Sequence, residues 1–261
     1  MVKRILRKLK NNYIKRKISK HEKEFRYKDQ VVKYCYIPYR GSDVLAVVFS
    51  GFPVEGKPAT YNMVATFEGV PVNRLYILDN FGYGERGAYY LGENGSFAVR
   101  DAVLALLKEF SFQTHVFLGS SKGGTAAVMF GLLSGADRII AGAPQLYLGS
   151  YLTSQEAHIP FLDAVAGDHS AESVEKYDRV IAEVIQTASC TDKTKILLHY
   201  SKEEHTYRTH IAEMIAMLEN RGFALEHDVK AYVNHGDVAK YFPGLCRQKL
   251  KELAAYNKAR H

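Results

Sequence analysis

The stretch FLGSSKGGTAAVMFG, residues 117–131, sets two adjacent serines among glycines. An apolar run leads in and a run of small residues leads out, which reads as strand, sharp turn and helix. Gly119-Ser120-Ser121-Lys122-Gly123 fits the pattern G-x-S-x-G. There the central serine stands at the apex of a strained turn with its hydroxyl exposed, and the flanking glycines leave room for neighbouring backbone. The helix that follows directs its positive end at the reacting centre. Ser121 is therefore the candidate nucleophile. A phosphate-binding loop needs G-x-x-x-x-G-K-[ST]. Here the lysine precedes the glycine pair, so that reading fails. A tight strand-to-helix connection without chemistry is the plain alternative.

Outward from this motif the chain alternates strands and helices. Strands are expected over 31–39, 43–51, 74–79, 113–119, 137–144, 193–201 and 223–233. The run DVLAVVFSG (43–51) is continuously apolar, as in a strand buried on both faces. Helices are expected over 96–110, from the motif to about Leu133, over 171–187 and 207–222, and over 236–258 with a break near Pro243. Ser96 is placed to cap the first of these. Strands alternating with helices predict a mostly parallel sheet covered on both faces. The segment 145–192 exceeds an ordinary connection and reads as a small lid or cap insertion.

A serine nucleophile needs a base, and the base needs an acid to orient it. His235 lies between a strand end and a helix start, in VNHGD. Other histidines lie within expected strands or helices or near the termini, and His158, His169 and His205 are weaker rivals. After the strand KILLHYS comes Lys202-Glu203-Glu204. Glu204 lies three residues past the small residue closing that strand and is the preferred acid, with Glu203 as the alternative. An oxyanion hole needs two backbone N–H donors. Lys122, after the nucleophile, supplies one. Phe52, after the strand ending in Gly51, supplies the other, since Pro53 has no amide hydrogen.

Hydrophobic residues make up 47% of the 261, enough for one large core. The three cysteines, Cys35, Cys190 and Cys246, are isolated. They suggest neither a zinc site nor a disulfide framework, and a reducing cytoplasm fits them. No run is apolar enough for a membrane span. The net charge of +7 is unevenly spread. Residues 1–28 hold 12 Lys/Arg against 2 Glu, while the remainder is slightly acidic. The expected division is thus a basic arm, 1–28, and a folded domain, 29–261. In the arm Val2, Ile5, Leu6, Leu9 and Tyr13 recur at helical spacing among basic residues. Such a helix suits an anionic membrane surface at the inner face of the membrane, or a protein partner. Nucleic acid is not expected, because no aromatic platform accompanies the charge.

FSGFP, YLGENGSFAVRDAV, LGSSKGGTAAVMFGL, AGAPQLYLGSYL and VNHGDVAKYF together span most of residues 44–242. In these stretches the chain resembles a bacterial capsular polysaccharide biosynthesis family of α/β-hydrolase-like proteins, related to the glycan O-acetyltransferase of the accessory Sec system. The resemblance implies an α/β-hydrolase fold, a Ser–acid–His triad and a glycan or glycan-precursor substrate. The acid departs from the commoner aspartate. Gln145, Tyr89, Tyr90 and Glu93 are candidates to line the site.

The expected function is a serine-dependent esterase or O-acyltransferase, acetyl foremost, acting on a bacterial surface polysaccharide or its precursor. No metal is expected. A transferase would draw on an acyl donor such as acetyl-CoA. The alternatives are a non-catalytic partner in a membrane-associated glycan-synthesis complex and a general carboxylesterase.

Overall fold

The computed structural model describes residues 2–54 and 56–258, with side chains for Leu9 and from Asn11 onward. Eight strands form one sheet: β1 (Glu22–Tyr27), β2 (Gln30–Ile37), β3 (Val44–Phe49), β4 (Asn73–Ile77), β5 (Thr114–Ser120), β6 (Arg138–Gly142), β7 (Lys195–Tyr200) and β8 (Ala224–Val229). Their spatial order is β1-β2-β4-β3-β5-β6-β7-β8. β1, β2 and β4 pair antiparallel in turn. From β4 through β3 to β8 every pairing is parallel.

The helices are α1 (Val2–His21), α2 (Ala98–Lys108), α3 (Lys122–Leu133), α4 (Leu148–Thr153), α5 (Ile159–Ala166), α6 (Ala171–Thr187), α7 (Ala212–Asn220) and α8 (Val238–Lys258). All six residues of β3 are buried, so both faces of the sheet are covered there. α3 is apolar almost all round, and ten consecutive residues from Gly123 to Leu132 are buried. It packs on β3, β5 and β6 and beneath α6. Phe49 of β3 stacks on Phe130 of α3, centroids 5.2 Å apart and planes 8° off parallel. That contact fixes how deeply the helix following the elbow sits.

Three local readings change. The basic arm is helical only to His21, and residues 22–27 are β1, hairpinned to β2 through Lys28-Asp29. Phe25 and Tyr27 alternate inward onto the core, a two-residue period masked by the surrounding charge. Leu9 and Tyr13 of the expected stripe are 60% and 53% exposed, whereas Ile14 and Ile18 pack on the core. Lys17 ties this half of α1 down through a 2.7 Å ion pair to Glu68. The side chains of Val2, Ile5 and Leu6 lie outside the described residues. Second, α8 runs through Pro243 without a break. Proline forfeits one hydrogen bond, but Phe242, Cys246 and Leu250 on the same helix are fully buried and hold it to the sheet. Third, within 145–192 α6 packs on α3 and α7 as an ordinary covering helix, leaving α4 and α5 beside the site.

Candidate active site

The elbow follows from its glycines. Ser121 has φ 54° and ψ −128°, outside the regions an L-residue prefers. Such strain costs about 1–3 kcal/mol and persists only where the surroundings enforce it. A Cβ on Gly119 would lie 2.2 Å from the Gly123 carbonyl oxygen, and one on Gly123 would lie 2.5 Å from that of Phe49. Strand and helix can therefore approach this closely only with glycine at both positions. The Ser121 amide donates to the Gly142 carbonyl at 2.7 Å, extending the β5–β6 ladder one residue into the turn.

Ser121, His235 and Glu204 come together across 114 residues of sequence. Ser121 Oγ lies 2.8 Å from His235 Nε2. His235 Nδ1 lies 3.0 Å from Glu204 Oε1. A carboxylate on Nδ1 holds the proton there and leaves Nε2 to accept the serine proton. The side chain of Glu204 is wholly buried, and Thr206 donates to it through both its amide and its hydroxyl. Burial works to raise the Glu204 carboxyl, but the hydrogen bonds from His235 and Thr206 outweigh it and hold the group below its ordinary value. Glu203 is exposed, and the carboxylate paired with His235 is that of Glu204. His205 also reaches Glu204 Oε1, at 3.4 Å, but its side chain is 62% exposed.

Gln145 touches Ser121. Its Nε2 donates to Ser121 Oγ at 3.3 Å, while its Oε1 accepts from the Tyr89 hydroxyl at 3.4 Å. The Tyr89 contact orients the amide so that its nitrogen faces the serine. With that lone pair occupied, the serine hydrogen is left to point at His235. Tyr89 thus stands behind Gln145. Tyr90 is buried: its hydroxyl accepts from the Ser50 amide at 2.6 Å and donates to the Ile77 carbonyl at 3.0 Å. Glu93 is exposed and accepts from the Gly82 amide, away from the cavity wall.

Beneath the turn lies a buried ion pair. Lys122 Nζ is 2.5 Å from Asp79 Oδ2, and both side chains are fully buried. Asp79 also accepts from the amides of Ala88 and Tyr90. Burial pulls the Lys122 ammonium below its ordinary value, and Asp79 opposes that shift. The Lys122 Nζ also lies 5.3 Å from the Phe52 ring centroid. One network thus braces both residues assigned to the oxyanion hole. It anchors Lys122 directly, and through Tyr90 it holds Ser50 two residues before Phe52. The Gly51 amide is held by Asn62 Oδ1 at 2.9 Å. The amide of Lys122 is the first of α3 and so has no acceptor within its helix.

Sequence reasoning misses Asp79, Asn62 and Thr206. Asp79 has one legible signal, an acid at the carboxyl end of an apolar strand in a parallel sheet, where sites cluster. A cavity of about 560 Å³ opens over Ser121 and His235, walled by the Phe52 loop, α4–α5 and the start of α8. Among the described residues no group of three or more His, Cys, Asp or Glu is arranged to hold a metal ion. None of their helices is long and apolar enough to cross a membrane.

No family model and no curated protein sequence matches this chain. Solved structures do. The capsule O-acetyltransferase of Neisseria meningitidis serogroup A, in a histidine-to-alanine mutant form in complex with CoA, superposes with a TM-score of 0.71 at 18% identity. That match covers 89% of this chain and 99% of the other. The fold is that of the α/β-hydrolases. The glycosylation-associated protein complex of Streptococcus agalactiae matches with a TM-score of 0.72 at 19% identity, over 88% of this chain and 46% of that one. The fluorophosphonate-binding serine hydrolase F of Staphylococcus aureus matches at 0.64 and 11% identity, over 89% and 97%. The capsule and accessory-glycosylation resemblance read from the motifs thus has its counterpart among solved α/β-hydrolase folds.

Proposed function

We propose that this chain is a serine-dependent O-acyltransferase or esterase acting on a bacterial surface or capsular polysaccharide, or on its precursor. The observation that carries this reading is the unbroken relay Ser121 Oγ–His235 Nε2–Glu204, with links of 2.8 and 3.0 Å. In this reading His235 takes the Ser121 proton as Oγ attacks an acyl ester or thioester carbonyl. The Phe52 and Lys122 amides receive the oxyanion, and His235 protonates the leaving group. An acyl-serine results, and a sugar hydroxyl or water then accepts the acyl group by the reverse relay. Gln145 sets the serine rotamer, and Glu204 stabilises the imidazolium. An acetyl thioester such as acetyl-CoA is the proposed donor, supported by the CoA in the similar capsule enzyme.

Two further assignments belong to this reading. Helices α4 and α5 act as the lid of the 145–192 insertion, limiting water at the acyl-enzyme. The basic segment 1–28, outside the catalytic relay, docks a cytoplasmic enzyme on an anionic membrane surface or on glycan-synthesis machinery. The test is covalent. Incubating the protein with a fluorophosphonate, or with acetyl-CoA followed by intact-mass and peptide analysis, is expected to modify Ser121. Acyl release from an aryl acetate that persists in Ser121→Ala would refute the assignment.

A further inference from the structure

We propose that Arg86 and His158 form an anion subsite in the Ser121 cavity, built for a phosphate group carried by the acyl donor or by the acceptor. It rests on the reading of that cavity as the substrate site. The described residues that wall the cavity include one arginine and two histidines and no carboxylate. A concave surface with cationic walls and no acid concentrates anions.

Two polar atoms in this wall lack a partner. Arg86 Nε and His158 Nδ1 are both buried from solvent without a hydrogen bond. Buried polar atoms are ordinarily paired, so two orphans on side chains that line one cavity call for a ligand. The guanidinium is positioned by stacking rather than by an acid: Arg86 Cζ lies 5.0 Å from the Phe161 ring centroid. A guanidinium held against a ring in this way keeps its terminal N–H groups free of an acid and available to phosphate oxygens. The Phe161 ring in turn packs on that of Phe52, centroids 4.9 Å apart. The cation therefore stands one aromatic ring from the residue whose amide is assigned to the oxyanion.

His158 is held from the other side, its ring 5.6 Å from Tyr151 at 29°. Burial, and then the neighbouring Arg86 charge, depress its pKa. Both effects favour the neutral imidazole. An anion between the two offsets both effects and lets the imidazole become a second donor. A tetrahedral anion can accept from the two groups at once, because its oxygens point in different directions.

The first test needs no turnover. Inorganic pyrophosphate is titrated calorimetrically into the full chain carrying Ser121→Ala. Saturable binding is expected, weakened tenfold or more by adding Arg86→Gln, partly restored by Arg86→Lys in its place, and weakened less by His158→Asn. No saturable binding, or equal affinity with Arg86→Gln, overturns the subsite whether or not the chain transfers acyl groups. The second test locates the phosphate. In Arg86→Gln the kcat/KM for acetyl-CoA, taken relative to a neutral acetyl thioester, falls at least tenfold if the phosphate is the donor's. The kcat/KM for a hexosamine 1-phosphate relative to the free hexosamine falls instead if it is the acceptor's. Both ratios staying within twofold of the parent values would overturn the substrate assignment.

Discussion

Two imidazole–carboxylate contacts of 3.0 Å or less sit near the carboxyl ends of neighbouring strands, and only one of them faces Ser121. His235 meets Glu204 at 3.0 Å, and its far nitrogen meets Ser121. His199 on β7 meets Asp228 at 2.6 Å, a shorter contact, yet its Nε2 is buried without a partner. The ring of His199 is wholly buried among Tyr232, Tyr241 and Phe242, whereas His235 is 21% exposed at the cavity floor. A carboxylate on a histidine is therefore not in itself a site. What distinguishes His235 is a strained serine within reach and an opening through which substrate can arrive.

The largest break expected in that comparison is at the relay. Ser121→Ala and His235→Ala should each lower acyl release from an aryl acetate by at least about 10⁴-fold, and together hardly more than either alone. Stopped-flow or steady-state kinetics on the two single variants and the double variant checks this. Additive losses would mean that the residues do not act as a unit. Next comes the acid. Glu204→Gln should lower kcat by roughly 10³- to 10⁴-fold, because the amide cannot stabilise the imidazolium. Glu203→Gln should stay within about twofold, since that carboxylate is in solvent. A reversal of the two would reassign the triad.

The third expectation concerns the buried carboxylate that serves a lysine instead. Asp79→Asn leaves Lys122 buried without its counter-charge, which should cost about 3–5 kcal/mol in denaturant unfolding. Pairing Lys122→Met with Asp79→Leu should recover part of that stability. The same double variant should still show a lowered kcat, because the Ala88 and Tyr90 amides lose their acceptor. Recovered stability together with a parental kcat would reduce the pair to a structural role.

Fourth is acid stability. Burial, reinforced by the His205 charge, pulls the His210 imidazole down from its ordinary 6.5 to about 4. The unfolded chain binds that proton at higher pH than the folded one. The stabilisation is therefore complete above about pH 6.5 and is lost as pH falls toward 4. It amounts to roughly 3 kcal/mol. Glu204, held below its ordinary value, loses stabilisation in the same direction at lower pH still. His210→Gln should flatten the melting-temperature profile between pH 6.5 and 4. An unchanged slope would remove His210 from the account. A small effect is also expected at the comparison pair itself: His199→Gln should leave aryl acetate hydrolysis within about threefold of the parent. A loss near that of His235→Ala would mean that the second pair takes part in catalysis.

Much of the architecture was legible because its signals are local. The strand order of apolar runs, the Ala171–Thr187 helix and the G-x-S-x-G turn each depend on residues within a few positions of one another. β1 was hidden because charged residues occupy its outward positions, so the inward Phe25 and Tyr27 looked like isolated aromatics on a basic arm. Tyr90 and Glu93 fell within the right loop, but hydrogen bonding turned one under the β3 turn and the other to the surface.

The sequence by itself determined the elbow turn, the chain order of Ser121, Glu204 and His235, and the parallel sheet. Each of these rests on residue type and chain order, through steric freedom at glycine and periodic burial. Only the tertiary structure placed Glu204 rather than Glu203 beside His235, because neighbouring side chains diverge and one of them is turned inward. It also placed Gln145 against Ser121, Asp79 against Lys122, and Arg86 and His158 in one cavity wall. Those contacts join segments tens of residues apart, and their chemistry depends on which atoms are excluded from water, a property that no short stretch of sequence carries.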